Sequence, residues 1–440
     1  MADMTDTQTS PFTWWQLFSY GFLTAPLAMG GFALVMYIPT FYAVDLGLGL
    51  GLVGAVFVAG RLFDVVTDPL IGHLSDETRS RLGARKPWML LGVPGFGIAA
   101  WLLLAPPEGA GLLYLLMASG LYFLFYTVLD VPYSSTGLEI SPHVHERSVL
   151  ASSKAGFQVV GALFAATVPA VLMLSIGDTL PVIAQTIMIA ATLGLILFMH
   201  SMPERNRIVT EPRASLVKAI KMVWQSRPYR TLISGFLIVQ SANALTAGLM
   251  VLFITHRLSA PSLIGLLMGL LLLSSALFLP VWVWVSKRKS KQFAWSCSVV
   301  TCSVVLAAFA FVGEGNVIAA AILAAIIGAC FGCDAVMPTS MLADIVYKGE
   351  EGGRKRLGGL SLAVKNSVSK LAFVVPMGLA FPVLDLVGFQ EQGQNSMPQL
   401  MVLVFFFSGV PILLRLCALY VISRIPTSIP ATPESPATIT

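Results

Sequence analysis

Long apolar runs alternate with short polar joints along the whole chain. A helix needs about 20 apolar residues to cross the hydrocarbon layer of a bilayer. Twelve runs reach that length, at roughly 16–43, 50–75, 87–106, 111–138, 149–175, 181–201, 227–256, 261–285, 293–313, 316–344, 359–386 and 398–423. Inside lipid a segment must satisfy its own backbone amides, so these runs are expected as helices. The glycines and prolines within them fit that reading, because membrane helices tolerate both. The pattern predicts an all-α membrane protein in two six-helix halves, 1–204 and 227–424, joined by a polar loop, 205–226. The Pro/Ser/Thr-rich tail, 425–440, is expected to be disordered.

Composition agrees with the pattern. Hydrophobic residues make up 56% and charged residues 11% of the chain, against roughly 45–50% and 25% in soluble proteins. The mean hydropathy is +0.81. The net charge of +5 therefore points to membrane topology, not to nucleic acid. Lys and Arg cluster between spans 2 and 3 (Arg79, Arg81, Arg85, Lys86), around the middle loop, between spans 8 and 9, and between spans 10 and 11 (Lys348 to Arg356). The alternate loops hold acids instead, such as Asp45, Glu108 and Asp178. The positive-inside rule then puts both termini and the middle loop in the cytoplasm of a multi-pass inner-membrane protein. The five cysteines lie in apolar C-terminal segments and read as packing residues. The first apolar run is too long for the core of a signal peptide.

Charge inside the spans is costly, so each case asks for a reason. The acids are Asp64, Asp68, Asp130, Asp334 and Asp344, with Asp385 near a helix end; the bases are Arg61, Lys154, Lys365, Lys370 and Arg415. Asp64 and Asp68 are four apart and share one helix face, with Thr67 beside them. Two carboxylates and a hydroxyl are hard oxygen donors, suited to Na⁺ or to a shared proton; the competing reading makes the pair a cap for the basic loop. Thr127 and Asp130 in "YTVLDVPYSS" are one turn apart and could complete a cation cage from span 4. Two motif matches are set aside. "GLGLVG" at 49–54 has the GxGxxG spacing without the strand–helix unit a phosphate loop needs, and Cys330 with Cys333 lacks a second ligand pair for a metal.

The segment "FDVVTDPLIGHLSDETRSRLGARKPWML" resembles the second-helix and loop signature of the glycoside–pentoside–hexuronide:cation symporters, the melibiose permease family of the major facilitator superfamily. "TVLDVPYSS", "ERSVLASSK", "MLADIVYKGE" and "SVSKLAF" resemble further blocks of that family along nearly the whole chain. The resemblance implies a twelve-helix major facilitator fold with a midplane site between the halves. It implies a cation site at Asp64, Thr67, Asp68, Thr127 and Asp130. Asp130 would also touch the solute. Lys154 stands where the family usually has a substrate-side arginine, and Lys370 resembles its span-11 lysine. Arg79, Arg81 and Arg85 resemble a gate, with Asp344 as a candidate partner.

One departure bears on the solute: the resemblance places Ala28 where the melibiose permease has a sugar-holding aspartate. Asp334, an acid outside the family pattern, is expected to supply an acid from the other half, with Lys370 as its charge partner. The expectation is a monomeric symporter without cofactor, coupled to Na⁺ or H⁺. Its small-molecule solute is a sugar or glycoside, with an organic acid or amphipathic lipid as the alternative. An enzyme is disfavoured, because no nucleophile–base pair or metal cluster appears at membrane depth.

Overall fold

The first helix opens on a capping box. The Gln16 amide donates to Thr13 Oγ1 and the Thr13 amide donates back to Gln16 Oε1, so two otherwise orphaned amides are satisfied. The structure is a computed structural model describing residues 12–140, 144–172, 174–202, 226–351, 358–390 and 393–425. Nearly all of the expected middle loop and tail, and residues 352–357 of the fourth basic run, lie outside the described residues.

Numbered in chain order, the spans are α1 Trp14–Met36, α2 Leu50–Glu77, α3 Lys86–Leu104, α4 Leu112–Glu139, α5 Val144–Leu172, α6 Ile176–Ser201, α7 Arg227–Leu252, α8 Pro261–Arg288, α9 Lys291–Phe309, α10 Val317–Glu351, α11 Gly358–Ala372 and α12 Met397–Ser423. The fold is all-helical. Eleven helical stretches among the described residues are long and apolar enough to cross a membrane. The exception is the span expected at 359–386. There α11 gives way to a π turn, Pro376–Ala380, and a short helix, Phe381–Leu386. Pro376 and Pro382 each lack the amide a continuous helix needs. "GLGLVG" lies at the start of α2, where Gly49 sits before the first turn with a φ of +78°. That left-handed backbone suits glycine and explains the residue without a phosphate.

Packing repeats from one half to the other. In the N-terminal half α1 packs on α5 and α6, α2 on α4, and α3 on α4 and α6; in the C-terminal half α7 packs on α11 and α12, α8 on α10, and α9 on α10 and α12. Each contact becomes its counterpart when every helix is replaced by the one six places on. The halves meet where α5 packs on α8, where α2 packs on α11 and the segments after it, and where α1 packs on α7. Backbones come close at small residues: a Cβ at Gly328 or Gly332 of α10 would lie 2.1 Å from a carbonyl oxygen of α8. In lipid, where apolar tails remove the hydrophobic drive between helices, such close approach is a main source of packing energy. The outward faces are apolar, with Leu113, Phe311 and Ile318 strongly exposed.

Candidate functional site

Two clusters of charge occupy the interior. The first lies where α2, α4, α5 and α11 converge. Asp64 is almost fully buried, at 1% exposure, and pairs with Arg61 one turn earlier at 3.3 Å. The Arg61 guanidinium also lies 5.3 Å and 5.5 Å from the ring centres of Phe123 and Phe373, a contact that favours a cation. Asp68, one turn on, receives the ammonium of Lys370 at 2.7 Å; the same ammonium is 3.9 Å from Asp64. Thr127 bridges the pair, donating to Asp68 at 3.0 Å and lying 3.5 Å from Asp64. Asp130 forms a separate lobe. It accepts from Lys154 at 3.2 Å and from Ser134 at 3.0 Å, and the Lys154 ammonium lies 4.8 Å over the Tyr133 ring.

Asp64, Asp68 and Thr127 thus come together, as the spacing predicts, and Asp130 faces Lys154. Thr67 does not join them. Its hydroxyl donates to the Phe63 carbonyl of its own helix at 3.1 Å, the common fate of a threonine inside a helix. Each of the three carboxylates already holds a protein cation, so a coupling ion entering here meets competition.

The second cluster is sealed inside the C-terminal half. Asp334 of α10 and Arg415 of α12 pair at 3.1 Å with both side chains fully buried. Ser298 of α9 donates to Asp334 at 3.0 Å, Asn243 of α7 donates to it at 3.3 Å, and Arg415 donates to the Asn243 side-chain oxygen. The expected pairing of Asp334 with Lys370 is therefore corrected. Lys370 reaches across to α2, and Arg415 occupies Asp334. A wholly buried acid whose oxygens are taken by Arg415, Ser298 and Asn243 has no surface left for a solute, so its expected solute contact is corrected as well. A thread runs on from Asn243 to Gln240 at 3.0 Å, and from Gln240 to Ser369, the neighbour of Lys370, at 3.4 Å.

The basic loop divides. Arg85 is buried and donates to Ser75 at 2.6 Å and to Asp76, whereas Arg79 and Arg81 are exposed. Asp344 pairs with Lys291 of α9 at 2.6 Å, within its own half, so its expected partnership with the gate arginines is not formed. Among the described residues, contacts that join the halves include Lys370 on Asp68, Arg61 on Phe373, Val58 beside Gly378, Asp385 beside Gly51 and Thr167 beside Gly269. Sequence reading gave no role to Arg61, Ser134, Asn243, Ser298 or Arg415. Arg61 and Ser134 sit one helical turn from Asp64 and Asp130, a usable signal; the others become neighbours only through packing between helices.

The family model described as MFS/sugar transport protein matches residues 19–428. The inner membrane symporter YicJ of Escherichia coli (strain K12) is 28% identical over 418 residues, covering 89% of this chain and 86% of its own. The sodium-dependent lysophosphatidylcholine symporter 1 of Xenopus tropicalis is 24% identical over 435 residues, covering 88% and 80%. A crystal structure of the nucleoside transporter NupG superposes with a TM-score of 0.67 at 13% identity, covering 93% of this chain and 99% of that one; at that identity the likeness speaks for the fold alone. With the family match over nearly its whole length, this chain belongs to the MFS/sugar transport protein family: it is a multi-pass membrane transporter of small molecules and not an enzyme.

Proposed function

We propose that the protein is a monomeric inner-membrane symporter, with both termini cytoplasmic. It couples Na⁺ or H⁺ to the movement of a sugar-class solute by alternating access of its two halves. The observation that carries the reading is Lys370. It belongs to the C-terminal half, yet its ammonium rests on Asp68 and near Asp64 of the N-terminal half. Opposite charges about 4 Å apart attract by about 4 kcal/mol at an effective dielectric of 20 before the cost of desolvation, so the pair favours the approach of the two halves. A monovalent ion entering among Asp64, Asp68 and Thr127 carries the same charge as the ammonium it displaces. The exchange then costs only a difference between two similar energies, and the cross-half link can be opened reversibly. Asp130 with Lys154 forms the neighbouring lobe and is assigned to the solute. Linkage makes the two effects mutual: an ion that favours the solute-ready form is itself bound better when solute is present.

The relatives support coupling in kind, since YicJ is named a symporter and the lysophosphatidylcholine carrier is named sodium-dependent. The latter also keeps an amphipathic lipid in view. So does α1, which offers no charged side chain along Trp14–Met36, Ala28 included. Uptake into proteoliposomes with and without imposed Na⁺ or H⁺ gradients tests the reading, using methyl β-D-glucoside and lysophosphatidylcholine as probes. Gradient-driven accumulation of the glucoside supports it. Accumulation of the lipid alone replaces the sugar class, and equilibration of both without accumulation overturns coupling.

A further inference from the structure

α2 starts without a cap of its own. Its N-cap residue is Gly49, which has no side chain to offer, and its first turn holds no acid. The opening amides of a helix need acceptors from outside it, and the helix dipole there draws negative charge. An acid from the other half stands in that place. A Cβ at Gly51, the second residue of α2, would lie 2.6 Å from Asp385 Oδ2, and one at Gly49 would lie 3.7 Å from Asp385 Oδ1. Capping side chains ordinarily reach the amide of the second or third residue, so the carboxylate lies where a cap of α2 belongs.

Asp385 is held by the C-terminal half as a fixed part. It sits on the short helix Phe381–Leu386 that follows the proline break, anchored by the buried Phe381 and Leu384. Beyond that helix, the Gln399 side chain of α12 donates to the Val387 carbonyl at 3.3 Å. Asn395 donates to the Gln390 carbonyl at 2.6 Å and lies 3.3 Å from His256, in the π turn that ends α7. The short helix is thereby tied to α7 and α12, whereas Gly49 and Gly51 move with α2. Asp385 itself is exposed, so water can serve both partners when they separate.

We propose that Asp385 is a latch between the halves. It caps α2 while the end of the bundle opposite the N-terminus is closed, as it is here, and lets go when that end opens. α2 begins at that end because α1 has crossed once. The proposal rests on the symporter reading only for the premise that the halves rock. The latch differs in kind from the Lys370 contact. A coupling ion can take the place of an ammonium on Asp68, but it has nothing to displace where a carboxylate meets backbone. The ion therefore frees the first contact and leaves the second to set how readily this end opens.

The test measures the distance between spin labels on Glu108→Cys and Glu314→Cys, exposed positions in the α3–α4 and α9–α10 loops of opposite halves. The full-length protein is used in liposomes, with its five native cysteines replaced by alanine. A short and a long distance report the closed and open forms of this end. Asp385→Ala should raise the open:closed ratio roughly fivefold, the worth of one helix cap. Gly51→Ala should do the same, because its methyl group takes the space of the carboxylate. The two changes together should add nothing to either alone, since they remove one contact. Gly31→Ala, where a Cβ meets nothing within 4 Å, should leave the ratio unchanged. Lys370→Gln, which breaks the other cross-half contact, is the reference for opening. An unchanged ratio in both latch variants, with a shift in Lys370→Gln, overturns the latch and leaves the rocking halves intact. Additive effects of Asp385→Ala and Gly51→Ala show separate causes and overturn it too. A lower melting temperature without a change in the ratio makes Asp385 a cap for the fold alone and refutes the gate role. No change of distance in any variant, Lys370→Gln included, overturns both the latch and the alternating-access reading.

Discussion

The two charge clusters use similar residues in opposite surroundings. Asp334 and Arg415 have no exposed surface and bond only within the C-terminal half. Asp68 and Lys370 keep 20% and 22% of their side-chain surface, and Asp130 and Lys154 keep 26% and 25%. The first of these pairs links opposite halves. A sealed pair repays the cost of losing water only as far as its lone pairs and protons find partners, which here leaves out Arg415 Nε, and it gains nothing by breaking. A partly wet pair across a moving boundary costs less to form and can exchange its partner. The contrast therefore separates a pin that holds one half rigid from a contact that can be traded during transport.

The largest expected effect comes from the sealed pair. Arg415→Ala or Asp334→Ala strands a buried charge, and breaking such a pair typically costs about 3–5 kcal/mol. Both should lower the yield of folded protein and its melting temperature sharply. The double change Asp334→Leu/Arg415→Met should recover most of the loss, because apolar replacement of a buried pair is often neutral or stabilising. If the double variant still binds solute with wild-type affinity, the pair serves the fold alone.

Next comes the exchangeable pair. Asp68→Asn should abolish gradient-driven accumulation while the melting temperature stays within a few degrees of wild type. Undiminished uphill uptake would remove Asp68 from the ion site. A smaller effect belongs to Thr127→Val. Its hydroxyl makes one bond to Asp68, worth about 1 kcal/mol, so ion affinity should fall roughly fivefold with coupling retained. The smallest is at the basic loop. Arg79→Gln with Arg81→Gln should change stability by less than about 0.5 kcal/mol, as exposed sites usually do. Arg85→Gln, which loses contact with Ser75 and Asp76, should cost clearly more. Equal effects would mean that the loop acts as one unit, as the resemblance implied.

Much of this was legible from the chain. Apolar runs located the helices because lipid leaves few alternatives to a helix, and among the described residues the proline-broken stretch after α11 is the expected span that falls short of a crossing helix. The Asp64–Asp68 pair was visible because helical spacing puts residues four apart on one face. The partner of Lys370 was not visible. Asp68 lies 302 positions away, and only packing of α11 against α2 brings the two together. Arg415 looked like an isolated charge in "PILLRLCALY", since its partners Asp334 and Asn243 come from α10 and α7. Pairing within a helix can be read from sequence; pairing between helices needs the fold.

The central claim is that a coupling ion and the Lys370 ammonium compete for the Asp64–Asp68 pair. It is tested most directly by cation binding to the purified protein without solute. Saturable stabilisation would be measured against Na⁺ at fixed pH, and against pH in Na⁺-free buffer, for wild type, Asp68→Asn and Lys370→Gln. The account predicts that Lys370→Gln binds the cation at least tenfold more tightly than wild type, because its competitor is gone, and that Asp68→Asn loses binding. Unchanged or weaker binding in Lys370→Gln, with binding retained in Asp68→Asn, would contradict it.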